Sequence, residues 1–199
     1  MVKERKASIK RDTKETQISL SINLDGTGKR KIDTPVGFLN HMLDLFGKHG
    51  LFDLEVKAKG DLEIDEHHTV EDIGIVLGEA LLKAVGDKKG IKRYGTMILP
   101  MDEVLALVSL DFAGRYAFDF DVPFNREKVG DLSTELVYDF FDAVAQNAKL
   151  NLHIKLLNPG RNDHHKIEGV FKAFARAVRE AVSIDERAKD QLPSTKGML

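Results

Sequence analysis

Apolar residues fall at every second position in several stretches of this chain. From Thr16 to Leu24, Ile18, Leu20, Ile22 and Leu24 share one side, and Val104 to Phe112 resembles that stretch. Phe52-Asp-Leu-Glu-Val56 and Leu150-Asn-Leu-His-Ile154 alternate in the same way. A period of two predicts half-buried strands. Elsewhere the spacing is three and four. Leu136, Val137, Phe140, Phe141, Val144 and Ala148 predict a helix over 134–148, and Phe171, Phe174, Ala175 and Val178 predict one over 171–182. Further helical runs cover Phe38 to Leu43 and Glu71 to Val85. Thr34-Pro35 has the form of an N-cap followed by proline at the first helical position, and Asp65 and Asp163 are placed to cap two later helices. The tail after Asp190, Gln-Leu-Pro-Ser-Thr-Lys-Gly-Met-Leu, has no period and reads as a loop.

These segments occur in pairs. A shift of 97 lays Glu71–Val85 on Glu168–Val182, and a shift of 98 lays Phe52–Val56 on Leu150–Ile154 and Phe38–Leu43 on Leu136–Phe141. The chain reads as an internal duplication with repeat one over 1–88, repeat two over 89–185 and a tail over 186–199. Each repeat is expected to run strand, strand, helix, strand, helix. Neither repeat buries enough surface to stand alone, so the helices of the two halves should pack together with a sheet outside each layer. That is an α+β fold.

Composition narrows the chemistry. Of 199 residues, 42% are hydrophobic and 31% charged, with a net charge of −2, so nothing suggests a nucleic-acid footprint. The absence of cysteine excludes disulfides, zinc-thiolate sites and thiol catalysis. The first residues are charged, and no apolar run reaches membrane-spanning length, so a cytoplasmic protein is expected.

The strongest chemical signal is itself duplicated: His67-His68-Thr69-Val70-Glu71 and His164-His165-Lys166-Ile167-Glu168, each opening a helix. On a helix, the first histidine and the glutamate lie four apart on one face, a spacing that suits a divalent metal. Adjacent histidines diverge by about 100°, so one doublet cannot easily chelate one ion with both rings. Two metal sites follow, each drawing on both halves. One takes His67, Glu71, His165 and Asp139; the other takes His164, Glu168, His68 and His41. A single doublet could be a solvated accident of a helix start, but two in register argue against that. Imidazole and carboxylate without thiolate suit manganese, iron, cobalt, nickel or zinc. Arg93, Arg115, Lys172, Ser194 and Lys196 supply donors for an anion such as phosphate, whereas His49 and His153 read as structural. A dinuclear phosphoester hydrolase and a metal-stapled scaffold are the alternatives from other classes.

Six stretches carry a family resemblance: Thr34–Asp44, His49–Asp53, Asp65–Asp72, Asn162–Glu168, Phe171–Arg176 and Pro193–Gly197. Together they resemble imidazoleglycerol-phosphate dehydratase of histidine biosynthesis, over nearly the whole chain. The resemblance implies a lyase with two manganese ions that converts imidazole glycerol phosphate to imidazole acetol phosphate. It implies a duplicated ribosomal-S5-domain-2-like fold, and trimers assembled into a twenty-four-subunit shell with active sites at subunit boundaries. Glu71 or Glu168 then serves as general base, and Glu15 as a supporting or acid/base partner. Two positions depart from the family pattern: Asp139 replaces a customary histidine, and Leu45 stands where a glutamine is common.

Overall fold

A computed structural model describes residues 5–199. The first half contains β1 (Lys6–Asp12), β2 (Thr16–Asn23), β3 (Arg30–Asp33), α1 (Gly37–Gly50), β4 (Asp53–Gly60) and α2 (His67–Val85). The second contains β5 (Tyr94–Met101), β6 (Val104–Asp111), β7 (Ala117–Asp121), a short hairpin of β8 (Lys128–Val129) and β9 (Leu132–Ser133), α3 (Leu136–Ala148), β10 (Asn151–Asn158) and α4 (Asp163–Val182). The two main sheets have matching orders, β1-β2-β4-β3 and β5-β6-β10-β7. In each, the first three strands are antiparallel and the last joins in parallel.

The parallel edge strands, β3 and β7, add a strand to each half beyond the strand, strand, helix, strand, helix order. In β3 the sequence Arg-Lys-Ile-Asp holds one apolar residue, so periodicity is silent, and pairing with β4 creates the strand. In β7, Phe118 and Phe120 pack on Tyr138 of α3 and lie half-buried at the margin of the main core. The inward face of β2 is as the alternation predicts, with Ile18, Leu20, Ile22 and Leu24 all buried.

The helices form the central layer and exchange partners between halves. Helix α1 packs on α4, and α2 on α3, while the first sheet covers α2 and the second covers α4. Phe46 of α1 stacks on Phe174 of α4 at 5.5 Å between centroids, and Phe174 meets Phe141 of α3 edge-on at 5.2 Å. Each fully buried ring contributes about 2–3 kcal/mol of transfer free energy. Helices α2 and α3 approach closely because α2 carries Gly74 and Gly78. A Cβ at either would lie 2.6 Å from the Phe140 carbonyl oxygen or 2.7 Å from that of Val144. Among the described residues, no helix is long and apolar enough to cross a membrane.

Helix starts differ from the sequence expectation at two of three places. Helix α1 begins at Gly37, two residues beyond Pro35, and its first amides donate to the carboxylate of Asp131, between β8 and β9 in the other half. Helix α4 is capped by Asn162, whose side chain accepts from the His164 amide at 3.0 Å, because the Asp163 carboxylate turns inward to other partners. Asp65 does accept from the His67 amide, at 2.8 Å.

Candidate metal centre and active site

Helical geometry and the α1–α4 contact together assemble one group of candidate ligands. His164 and Glu168 lie four apart on α4, with Nε2 and Oε2 separated by 3.0 Å. His41 on α1 brings its Nε2 to 3.8 Å from the same carboxylate oxygen. One ligating atom from each of the three lies within 4.8 Å of the others. Phe38, one turn before His41, packs edge-on to the His164 ring at 5.0 Å and braces it. The Glu168 side chain is only 11% exposed, and its second oxygen, Oε1, pairs with Lys172 Nζ at 2.6 Å. Burial opposes its ionisation, but the Lys172 ammonium and the His164 hydrogen bond outweigh that penalty and hold the carboxyl below its usual range.

Helices α2 and α3 offer the counterpart group in looser form. His67 Nε2 is 3.9 Å from Glu71 Oε2 on α2. Asp139 lies on α3 at the position matching His41, but it does not join the group of His41, His164 and Glu168, nor the second such group among the described residues, Asp102, Glu103 and His165.

The remaining histidine of each doublet points elsewhere, as divergence on a helix requires. The rings of His67 and His68 are 76° apart, and those of His164 and His165 are 84° apart. His68 Nδ1 bonds Asp61 at 3.0 Å, with Glu15 4.0 Å away, and the Asp61 contact raises the imidazole pKa. His165 Nδ1 bonds Glu103 Oε2 at 2.9 Å, and that hydrogen bond holds the Glu103 carboxyl at about 2. The two quartets expected from the sequence are therefore not closed within one chain. Its own fold joins His41 to His164 and Glu168, and His67 to Glu71, and turns His68 to Asp61 and His165 to Glu103.

The proposed anion binders separate into two groups. Arg93 donates to Asp111 at 2.6 and 2.9 Å, and its remaining nitrogen donates to the Pro193 carbonyl at 2.8 Å. That bond pins the tail. A Cβ on Gly114 would meet the carbonyl carbon of Leu199 at 2.6 Å, so the tail folds back over the turn next to exposed Arg115. Within it, Ser194 Oγ donates to the Met198 carbonyl at 2.9 Å and accepts from the Lys196 amide at 3.2 Å. Lys172 stands apart, held by Glu168. His49 faces it: burial first, then the charges of Lys172 and Arg176, depress that imidazole's pKa.

Several residues that frame the site went unmarked in the sequence. Asp61 and Glu103 look like ordinary turn carboxylates until the fold sets them on an imidazole. Asp72, next to Glu71, accepts from Thr16 Oγ1 at 2.5 Å and pairs with Arg11 at 2.8 Å, tying the β1–β2 turn that carries Glu15 to α2. Buried Glu66, just before His67, accepts from the amide and hydroxyl of Ser133 and pairs with Lys128. Only their placement beside the doublets hinted at a role.

The family model for imidazoleglycerol-phosphate dehydratase matches residues 34–178, which takes in α1, both doublets and Asp139. The chain belongs to the imidazoleglycerol-phosphate dehydratase family. Imidazoleglycerol-phosphate dehydratase of Pseudomonas fluorescens is 57% identical over 196 residues, covering 98% of this chain and 99% of the relative. That of Acetivibrio thermocellus is 58% identical over 196 residues, covering 98% and 100%. The crystal structure of the Staphylococcus aureus imidazoleglycerol-phosphate dehydratase superposes with a TM-score of 0.82 at 46% identity, covering 90% of this chain and 99% of that one. The Pyrococcus furiosus structure, solved in complex with (S)-C348, gives 0.82 at 36% identity, covering 96% and 100%. Membership makes the chain an enzyme of the hydro-lyase class, which displaces both the scaffold and the phosphoester hydrolase readings.

Proposed function

We propose that this chain removes water from imidazole glycerol phosphate to give imidazole acetol phosphate in histidine biosynthesis, at a two-manganese site completed between copies of the chain. The observation that carries this reading is the convergence of His41, His164 and Glu168 while His165 of the same doublet faces away. Two imidazole nitrogens and one carboxylate oxygen form a donor set that fits a borderline-hard divalent ion such as manganese. His67 and Glu71, with Asp139, would hold the second ion. Each set is short of ligands, and His68 and His165, which join neither set in their own chain, are the groups that the sets of a neighbouring copy lack. A trimer, and a twenty-four-subunit shell built from trimers, would supply such neighbours, and their size rests on the family resemblance. A ribosomal-S5-domain-2-like fold and a cytoplasmic location complete the reading.

When bound, the ions would lower the nitrogen pKa of the substrate imidazole and let that ring accept electron density. The chain supplies the rest. Proton removal from carbon needs a carboxylate that is ionised at neutral pH. Glu168 meets that condition through Lys172, and Glu71 and Glu15 are the other candidates. Arg93, Arg115, Ser194 and Lys196 hold the phosphate, with the folded-back tail covering it and excluding water. Lys172 would divide its charge between Glu168 and the substrate.

Anaerobic metal analysis with a turnover assay on imidazole glycerol phosphate tests this. His165→Ala should lose about half of the bound manganese and nearly all turnover, and Asp139→Ala should lose metal from the other site. Release of inorganic phosphate in place of the ketone product, or full metal and turnover in His165→Ala, would refute the proposal.

A further inference from the structure

The β5–β6 turn carries a carboxylate whose placement is unusually constrained. Only Asp102 and Glu103 separate the two strands, and Asp102 adopts a left-handed φ of 48°, a conformation that aspartate tolerates. Glu103 is fixed at both oxygens. Oε1 accepts from the backbone amides of Arg161 at 3.3 Å and Asn162 at 3.1 Å, the two residues leading into α4. Oε2 faces His165 Nδ1 at 2.9 Å. Gly160 makes room for it, since a Cβ there would stand 2.5 Å from Glu103 Cγ.

The first repeat has a counterpart with a different tether. Glu15 immediately precedes β2 as Glu103 immediately precedes β6, and it approaches His68 Nδ1 as Glu103 approaches His165. At 4.0 Å it is beyond hydrogen-bond range, it lies on a longer turn, and its carboxylate is 57% exposed. The duplicated position thus holds one free carboxylate and one locked one.

We infer that Glu103 is a positioning residue, one that fixes the His165 tautomer and ring orientation so that Nε2 keeps its lone pair for a ligand. An ionised carboxylate only accepts, so the proton of a neutral His165 must reside on Nδ1. Nε2 is then the basic nitrogen. It faces Asp102 Oδ2 at 3.5 Å and the Asn162 side chain at 3.4 Å, contacts long enough for an incoming ion to replace. A ligating histidine whose other nitrogen donates to a carboxylate is both oriented and made more basic, and losing such a partner typically weakens metal binding by about 10–100-fold. The inference rests on the reading of His165 as a metal ligand.

The test uses the full-length chain with Glu103→Ala, Glu103→Gln and His165→Ala, with manganese titrated into chelated protein. Nitrogen NMR of histidine-labelled, metal-free assemblies reads the His165 tautomer independently of activity. Glu103→Ala should bind manganese at its weaker site about 10–100-fold less tightly and shift His165 toward the Nε2–H form. Glu103→Gln has a single accepting oxygen; kept on the Arg161 and Asn162 amides, it turns its NH2 toward Nδ1, so this variant should also move His165 toward the Nε2–H form and weaken manganese binding. Wild-type manganese affinity in Glu103→Ala, or an unchanged Nδ1–H signal, would overturn the inference. If His165→Ala binds manganese as the wild type does, the metal-ligand reading falls, while the tautomer signal still decides what Glu103 does.

Discussion

Asp163 and Lys166 form an ion pair of 2.7 Å in which neither side chain is more than 1% exposed. They bracket His164 and His165. The Asp163 carboxylate also accepts from the amides of Asn125 and Arg126, and the Lys166 ammonium donates to the Pro123 carbonyl. One buried pair thus fastens the first turn of α4 to the loop after β7. Removing one partner leaves an uncompensated buried charge, which costs about 3–5 kcal/mol. Lys166→Met should lower stability by that amount in urea unfolding at pH 7, and metal affinity should fall with it because the doublet loses its anchor.

Glu66 has a folded-state pKa of about 2, against 4.5 ordinarily. Burial raises it, but Ser133 and Lys128 more than offset that. A depressed carboxyl stabilises the fold fully above pH 4.5, and that contribution fades as the pH falls toward 2. Glu66→Gln should therefore be less stable than wild type at pH 7, by about 1.5–3 kcal/mol for a charge-assisted cluster. The gap should close steadily between pH 4.5 and 2. A gap independent of pH would show that shape, not charge, is what Glu66 provides.

Gly78 touches α3 where a methyl would meet the Val144 carbonyl oxygen and Asn147 Cβ at 2.7 and 2.8 Å. Helix backbones give little, so Gly78→Ala should destabilise by about 1–3 kcal/mol through overpacking, despite alanine's better helix propensity. Calorimetry reads this as a lower Tm.

Deleting residues 193–199 removes the Arg93–Pro193 bond and the chain segment over Gly114. Manganese content should stay at the wild-type level. KM for the phosphorylated substrate should rise by at least about tenfold, the equivalent of one lost charge-assisted contact. A loss of metal with no change in KM would place the tail at the ions and not at the phosphate.

Strands β2, β4, β6 and β10 and all four helices were legible because burial writes a period of two or 3.6 into the chain; β1, β5 and β7 were given no residues. Strand β3 was not legible either, since Arg30 and Lys31 have no apolar partner pattern and the strand exists through hydrogen bonds to β4. The cap of α1 was hidden for a similar reason: Asp131 is 93 and 94 residues away from the amides it serves. At the site, the doublets announced their chemistry through spacing. Asp61 and Glu103 did not, because they approach their imidazoles across turns and only tertiary structure distinguishes them from solvated acids. Nor could spacing say that His68 and His165 turn away from His41 and Glu71.

The partner exchange between α1 and α4, and between α2 and α3, has a consequence for how this chain can be divided. A cut in the loop before Tyr94 would leave each fragment with an oily flank that only the other can shield. Such pieces would either reunite or precipitate. Through these crossed loyalties the two halves make a single indivisible body.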